Sequence, residues 1–197
     1  MNVGRNARYG KVSVSARLAA TPAYSYRGDP AVPHFDDAHA LIIYDGVCVL
    51  CSRSMQRIAA ADHAGMFRFA SAQSPLGQAV FKHYQLDPVA FETVLLLSEG
   101  RAFGKLDMAF EVARRLGRAW LLFALFKPLP RRWQDAAYDL VAKNRYRIFG
   151  RTEACMVPDA SWRGRVIDEQ DNHALTCDTA NANSAGIPTE NRYDQRS

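Results

Sequence analysis

Cys48 and Cys51, separated by Val49 and Leu50, are the side chains whose types and spacing best suit chemistry in this sequence. On the first turn of a helix, residues i and i+3 share a face, so two sulfurs spaced this way can approach bonding distance. A sulfur at the helix start also meets unpaired N–H groups and the positive end of the helix dipole, which stabilise an anion. The thiolate is the nucleophilic form of cysteine. This spacing therefore predicts Cys48 as the attacking sulfur and Cys51, deeper in the helix, as the less exposed resolving thiol. In that cycle Cys48 attacks a substrate disulfide. Cys51 then attacks the mixed disulfide and releases reduced substrate.

Two other uses of such a pair stay open. Zinc wants four ligands, commonly a second CxxC or a His pair. Here Cys155 and Cys177 stand singly, and His34, His39, His63, His83 and His173 form no ligand pair, so no metal site is assigned. Free cysteines are also frequent core residues. Asp45-Gly46 directly before the pair is a turn signal, which argues for an exposed position.

The elements around the pair fit a redox context. Ala40–Tyr44 is a short apolar run with β-branched residues and reads as a buried strand. Val49–Ala61 then reads as a helix, with Leu50, Met55, Ile58, Ala59 and Ala61 on one broad face. Strand–CxxC–helix is the thioredoxin-like arrangement. Met66–Ala70 reads as a second strand, with Phe67 and Phe69 on one side. Ser74-Pro75 starts a helix that runs to about His83. Thr93–Leu97 is a third strand, and Arg101–Gly104 a hairpin partner. Lys105–Leu116 is a helix with Leu106, Ala109, Phe110, Ala113 and Leu116 as its expected buried stripe. Arg118–Phe126 is apolar all round and reads as buried. Pro130 to about Ile148 is a further helix with Trp133, Ala137, Leu140, Val141 and Ile148 near one face. Strands alternating with helices imply α/β or α+β layering, and the expectation is an α/β fold, a sheet with flanking helices and a C-terminal helical extension.

Composition sets the bounds. The chain has 197 residues, 48% hydrophobic and 23% charged, enough for one domain with a core that needs no staples. Its 4 cysteines are too few for a disulfide scaffold. Residues 1–38, rich in Gly, Pro, Ala and Arg without sustained period, read as a disordered N-terminal arm. Residues 39–167 are the folded domain, and the polar, Asn-rich residues 168–197 a disordered tail. The arm lacks an apolar h-region, so it is no secretory signal, although its Arg, Ser and Ala faintly resemble a transit peptide. No stretch approaches the roughly 18 apolar residues of a membrane span. The expected compartment is a reducing cytoplasm. The net charge of +5 permits an anionic partner. The basic and aromatic residues from Arg131 to Arg151 read as an amphipathic helix rather than a nucleic-acid site. No dinucleotide or flavin motif appears, so no cofactor is assigned and electrons come from a cellular thiol reductant.

Tyr44-Asp45-Gly46-Val47-Cys48-Val49-Leu50-Cys51 resembles the DxxCxxC signature of the DCC family of thiol–disulfide oxidoreductases. Tyr138 to Arg151, followed by Cys155-Met156-Val157-Pro158, resembles that family's C-terminal block. Lys105-Leu106-Asp107-Met108-Ala109 resembles a third, which usually has Ser where Leu106 stands. The resemblance spans about residues 40–160. It implies a thioredoxin-like fold, protein or small-molecule thiols and disulfides as partners, and catalytic positions at Cys48, Cys51 and Asp45. Asp45 has two readings, proton acceptor from Cys51 or shaper of the turn into the helix. The alternative for the whole chain is a non-catalytic thioredoxin-like binding or scaffold module with a structural or metal-binding pair. Thioredoxins set a cis-proline before the third strand; here Pro88 is several residues early and Thr93 lies nearest that position. Val49-Leu50 gives a thiolate no extra donor, so a modest pKa depression and a reductant-like couple are expected. Arg145 or Arg151 could face the pair, and Cys155 is either a third redox thiol or a packed small hydrophobe.

Overall fold

The computed structural model describes residues 13–89, 91, 93–117, 128–151 and 163–167. Four strands form one mixed sheet in the order β2-β1-β3-β4. They are β1 (Ala40–Tyr44), β2 (Phe67–Ser71), β3 (Leu95–Ser98) and β4 (Arg101–Gly104). β1 pairs parallel to β2 and antiparallel to β3, and β3 pairs antiparallel to β4. The helices are α1 (Val14–Ala20), α2 (Val49–Ala61), α3 (Pro75–His83), α4 (Lys105–Leu116) and α5 (Arg131–Phe149). This is an α/β, thioredoxin-like sheet with flanking helices and a C-terminal helix.

Side-chain alternation along β1 splits the core in two. Leu41 and Ile43 join Ala70, Leu95, Leu97 and the apolar residues of α1 and α3 on one face. Ala40, Ile42 and Tyr44 join Phe67, Phe69, Leu96 and the residues of α2 and α4 on the other, together with both cysteines. Ser74 caps α3 by accepting the Gly77 N–H at 3.0 Å, with Pro75 at the first helical position.

The helix boundaries at α2, α3 and α4 match the sequence reading; two strands, β2 and β3, shift at both ends. Asp62, wholly buried, takes the Met66 and Phe67 N–H groups at 3.0 and 2.9 Å, so β2 starts a residue later than expected. Thr93 Oγ1 accepts the Lys105 N–H at 2.7 Å, and the Val94 N–H donates to the Tyr138 hydroxyl at 3.2 Å. These side-chain partners replace ladder bonds, and β3 begins only at Leu95.

Three larger expectations are corrected. Residues 13–38 are not a disordered arm. α1 packs on β4 and α4, and Val14, Leu18, Tyr26 and Phe35 are buried in the core. His83 on α3 holds this segment through Asp29 at 2.7 Å and Ser25 at 2.9 Å. Isolated apolar anchors do this work without periodicity, which is why no pattern announced them. In α4 the buried residues are Lys105, Met108, Val112 and Ala113; of the expected stripe only Ala113 is buried, and Ala109 borders a cavity instead. In α5 the expected face is inverted. Trp133, Leu140 and Ile148 are exposed, while Gln134 and Arg145 are buried, because this helix covers charged groups rather than apolar core. The segment 118–126, Cys155, Cys177, His173 and the tail 168–197 lie outside the described residues.

Candidate active site around Cys48 and Cys51

β1 delivers the chain to Asp45, and the turn Asp45-Gly46-Val47 feeds it into α2. Cys48 is the N-cap of α2, and its Sγ accepts the Cys51 N–H at 3.3 Å. The turn is closed by Cys48 N–H donating to the Asp45 carbonyl at 3.2 Å and by the Ser52 hydroxyl donating to the Gly46 carbonyl at 3.3 Å.

The Asp45 carboxylate is buried and receives four donors. Gln73 Nε2 at 2.7 Å and the Val47 N–H at 3.3 Å reach Oδ1. Arg145 at 3.0 Å and the Tyr146 hydroxyl reach Oδ2. Gln73, between β2 and α3, also takes the Gly46 N–H at 3.1 Å. One carboxylate therefore ties the end of β1, the β2–α3 loop and α5 together. Arg145 is itself buried. Burial opposes its charge, but Tyr146 and Asp45 outweigh that and hold it more firmly protonated. Tyr146 is pushed up to about 12, mainly by burial and then by its bond to Asp45.

The thiols are unequal. Cys48 is lowered from an ordinary 9.0 to about 7, chiefly by the hydrogen bond from the Cys51 thiol, with the Cys51 N–H and Arg145 adding to it against burial and Asp45. The Cys51 thiol is pushed well up by that same bond and by burial. Of the two, Cys48 is therefore the more readily ionised. The lowering is larger than the modest one expected, and its first cause is the Cys51 thiol rather than the helix terminus alone.

Exposure runs against expectation. Cys48 is 0% exposed and Cys51 8%, so the sulfur expected to attack is the more covered one. Asp45 and Gly46 are buried as well, although Asp-Gly suggested an exposed turn. The cause is the C-terminal block. α5 packs against α2, and the Arg151 main chain forms an antiparallel bridge with that of Cys48. Arg145 faces the pair through Asp45, as one sequence reading held, whereas Arg151 meets it by main chain and lays its guanidinium over the Tyr146 ring at 5.6 Å.

A cavity of about 460 Å³ opens beside the pair between α2, α4 and α5. Its walls are mostly apolar, and Cys51, Asp45, Tyr138 and Arg145 stand among them while Cys48 does not. Lys105 borders it too, in a left-handed conformation (φ 54°), with its ammonium 2.8 Å from Asp139. Gln73, Thr93, Lys105, Tyr138 and Tyr146 carried no chemical signal by spacing. Lys105, Tyr138 and Tyr146 do fall in the blocks that carry the family resemblance. Among the described residues no three His, Cys, Asp or Glu side chains cluster as a metal site.

The model of the DCC1-like thiol-disulfide oxidoreductase family matches residues 42–151, more than half of the chain. The chain belongs to this family. Its match begins in β1 and ends at Arg151, so the DCC1-like region holds the cysteine pair, the carboxylate and the helix that covers them. The chain is 35% identical over 127 residues to "Uncharacterized protein YuxK" of Bacillus subtilis (strain 168), covering 64% of this chain and 93% of that one. It is 26% identical over 121 residues to "DCC family protein At1g52590, chloroplastic" of Arabidopsis thaliana, covering 61% of this chain and 70% of that one. No solved structure matches the chain. No described helix is long and apolar enough to cross a membrane.

Proposed function

We propose that this chain is a thiol–disulfide oxidoreductase whose Cys48 and Cys51 cycle between dithiol and disulfide. The observation that carries this reading is the placement of the pair at the N-terminus of α2, where Cys48 Sγ accepts the Cys51 N–H. Cys48 caps a helix N-terminus and is lowered to about 7, while Cys51 keeps its proton. A pair so poised holds a thiolate at neutral pH beside a second thiol, so a mixed disulfide on either sulfur can be resolved by the other. The resting thiolate sits on Cys48; which sulfur meets substrate first depends on access. Asp45 shapes the turn and holds Arg145 near the pair. With four donors already on its carboxylate, this role fits it better than taking a proton from Cys51. Electrons come from a thiol reductant of the cytoplasm, and substrates are disulfides of proteins or small molecules.

Equilibration with glutathione redox buffers tests the reading. One two-electron transition joining Cys48 to Cys51 is expected, with a potential below about −200 mV, on the reducing side of the disulfide-inserting enzymes. Cys48→Ser removes the transition and every turnover of a model disulfide that passes through the Cys48–Cys51 disulfide. The burial of both sulfurs favours one second reading, a scaffold with a structural pair. If no Cys48–Cys51 disulfide forms under any buffer and the dithiol chain is folded, that reading replaces the first.

A further inference from the structure

We infer that the substrate is the slender, apolar disulfide end of a small molecule, which enters the cavity under α5 and reacts first with Cys51. This rests on the pair being redox-active and adds its substrate class and order of attack.

Three observations lead there. Cys51 borders the cavity of about 460 Å³ and Cys48 does not. Cys48 is fully covered, its main chain bridged to Arg151, so no face of it is offered to a macromolecule. The Val94 N–H, before β3 on the cavity wall, is already given to the Tyr138 hydroxyl at 3.2 Å. A substrate main-chain carbonyl docking at this point of the cavity wall would need that donor. The volume suits a small ligand and is at the low end for drug-sized molecules. Leu50, Met55, Ile58, Met108 and Val112 line it, so an apolar guest loses little solvation there, while a charged tripeptide disulfide would lose much.

The step balances within the pair and the substrate. The Cys51 proton passes to the neighbouring Cys48 thiolate. Cys51 Sγ attacks the nearer substrate sulfur; the substrate S–S bond breaks and the first thiolate leaves with the proton from Cys48. Cys48 Sγ then attacks Cys51 Sγ, breaking the mixed disulfide, and the second substrate thiolate takes a proton from water. The substrate disulfide gains two electrons and the two cysteines lose them.

The test uses the full chain in its dithiol form, with dipropyl disulfide and glutathione disulfide as probes. Each rate is divided by that of the same probe with a free dithiol in water. Dipropyl disulfide should then react at least about tenfold faster than glutathione disulfide. Ala109→Phe and Ala142→Phe fill the cavity from opposite walls and should each slow dipropyl disulfide by about tenfold or more, with thermal melting showing that at least one is folded. Cys48→Ser should accumulate a propylthio adduct on Cys51, and Cys51→Ser none on Cys48. Equal normalised rates, indifference to a folded filling variant, or an adduct on Cys48 alone would each overturn the inference. Diamide separates the two levels. If it forms the Cys48–Cys51 disulfide while dipropyl disulfide shows no preference, only the substrate class falls; if diamide forms none, the redox reading falls with it.

Discussion

On the α1/α3 side of the sheet, Leu41, Ile43, Leu95 and Leu97 meet Val80, Phe81 and Tyr84 in a closed apolar layer. On the α2/α4 side, Ile42, Phe67 and Leu96 start a similar layer, but it gives way to two thiols, a buried carboxylate, a buried guanidinium and an open cavity. Both layers rest on opposite faces of the same strands, so the choice of strands does not make the difference. It comes from what closes each face. α3 brings apolar residues, while α5 brings Gln134, Tyr138, Arg145 and Tyr146. A buried ion pair is weak evidence for stability, since desolvation offsets much of its Coulombic gain. Its placement here, within the turn that carries Cys48, makes the second face a device for positioning charge next to sulfur.

The contrast breaks first at the sulfur itself. Cys48→Ser should abolish disulfide formation while the thermal midpoint changes little, because serine keeps a helix-capping oxygen. On the other face, Phe81→Ala should cost about 3–5 kcal/mol in denaturant unfolding. It should leave the Cys48–Cys51 potential where it was, and a shift in potential would mean the two layers are coupled through the sheet. Arg145→Met should do both. Leaving Asp45 buried without its cation costs about 3–5 kcal/mol. It also removes a positive charge that lowers Cys48, so the thiolate should titrate above 7. Asp45→Asn and the double variant complete a cycle, in which a coupling below about 0.5 kcal/mol would deny that the pair acts as a unit.

How far the sequence could be read follows the same division. The strand–turn–CxxC–helix unit was legible because its periodicities and its Asp-Gly turn are local. The covering role of α5 was not. Its apolar residues, Trp133, Leu140 and Ile148, gave an amphipathic pattern pointing one way, and the helix docks the other way to satisfy Asp45 and Lys105. Arg145 meets Asp45 from 100 positions along the chain, and no local period encodes such a pairing. The fold of residues 13–38 was hidden for a different reason. One short helix and single anchors such as Tyr26 and Phe35, stacked at 5.4 Å, bury surface without repeating.

Acidity should sharpen the contrast further. Ultraviolet thiolate absorbance of the native dithiol should rise through about pH 7 as Cys48 ionises, and near 9.0 in denaturant. The sign for stability follows from proton binding. Between about pH 7 and 9 the unfolded chain holds a proton on Cys48 that the native chain has lost, so stability should rise with pH. Above pH 9 the native chain keeps the Cys51 proton that the unfolded chain loses, so stability should fall again. Cys48→Ser removes the rising limb, whereas Phe81→Ala shifts the whole curve down without changing its shape.

The smallest expected effect separates Tyr146 from Arg145, its neighbour on the same carboxylate oxygen. Tyr146→Phe keeps the ring beneath the Arg145 and Arg151 guanidiniums and removes only the hydroxyl. Asp45 then still has Gln73, the Val47 N–H and Arg145 as donors. A buried acceptor that keeps three partners should lose about 1 kcal/mol in urea unfolding rather than the cost of an orphaned charge. The Cys48 titration should stay near 7, because no charge has moved. A loss as large as that of Arg145→Met would show that the hydroxyl, and not the guanidinium, holds Asp45 in the turn, and that α5 positions the pair by hydrogen bonding more than by charge.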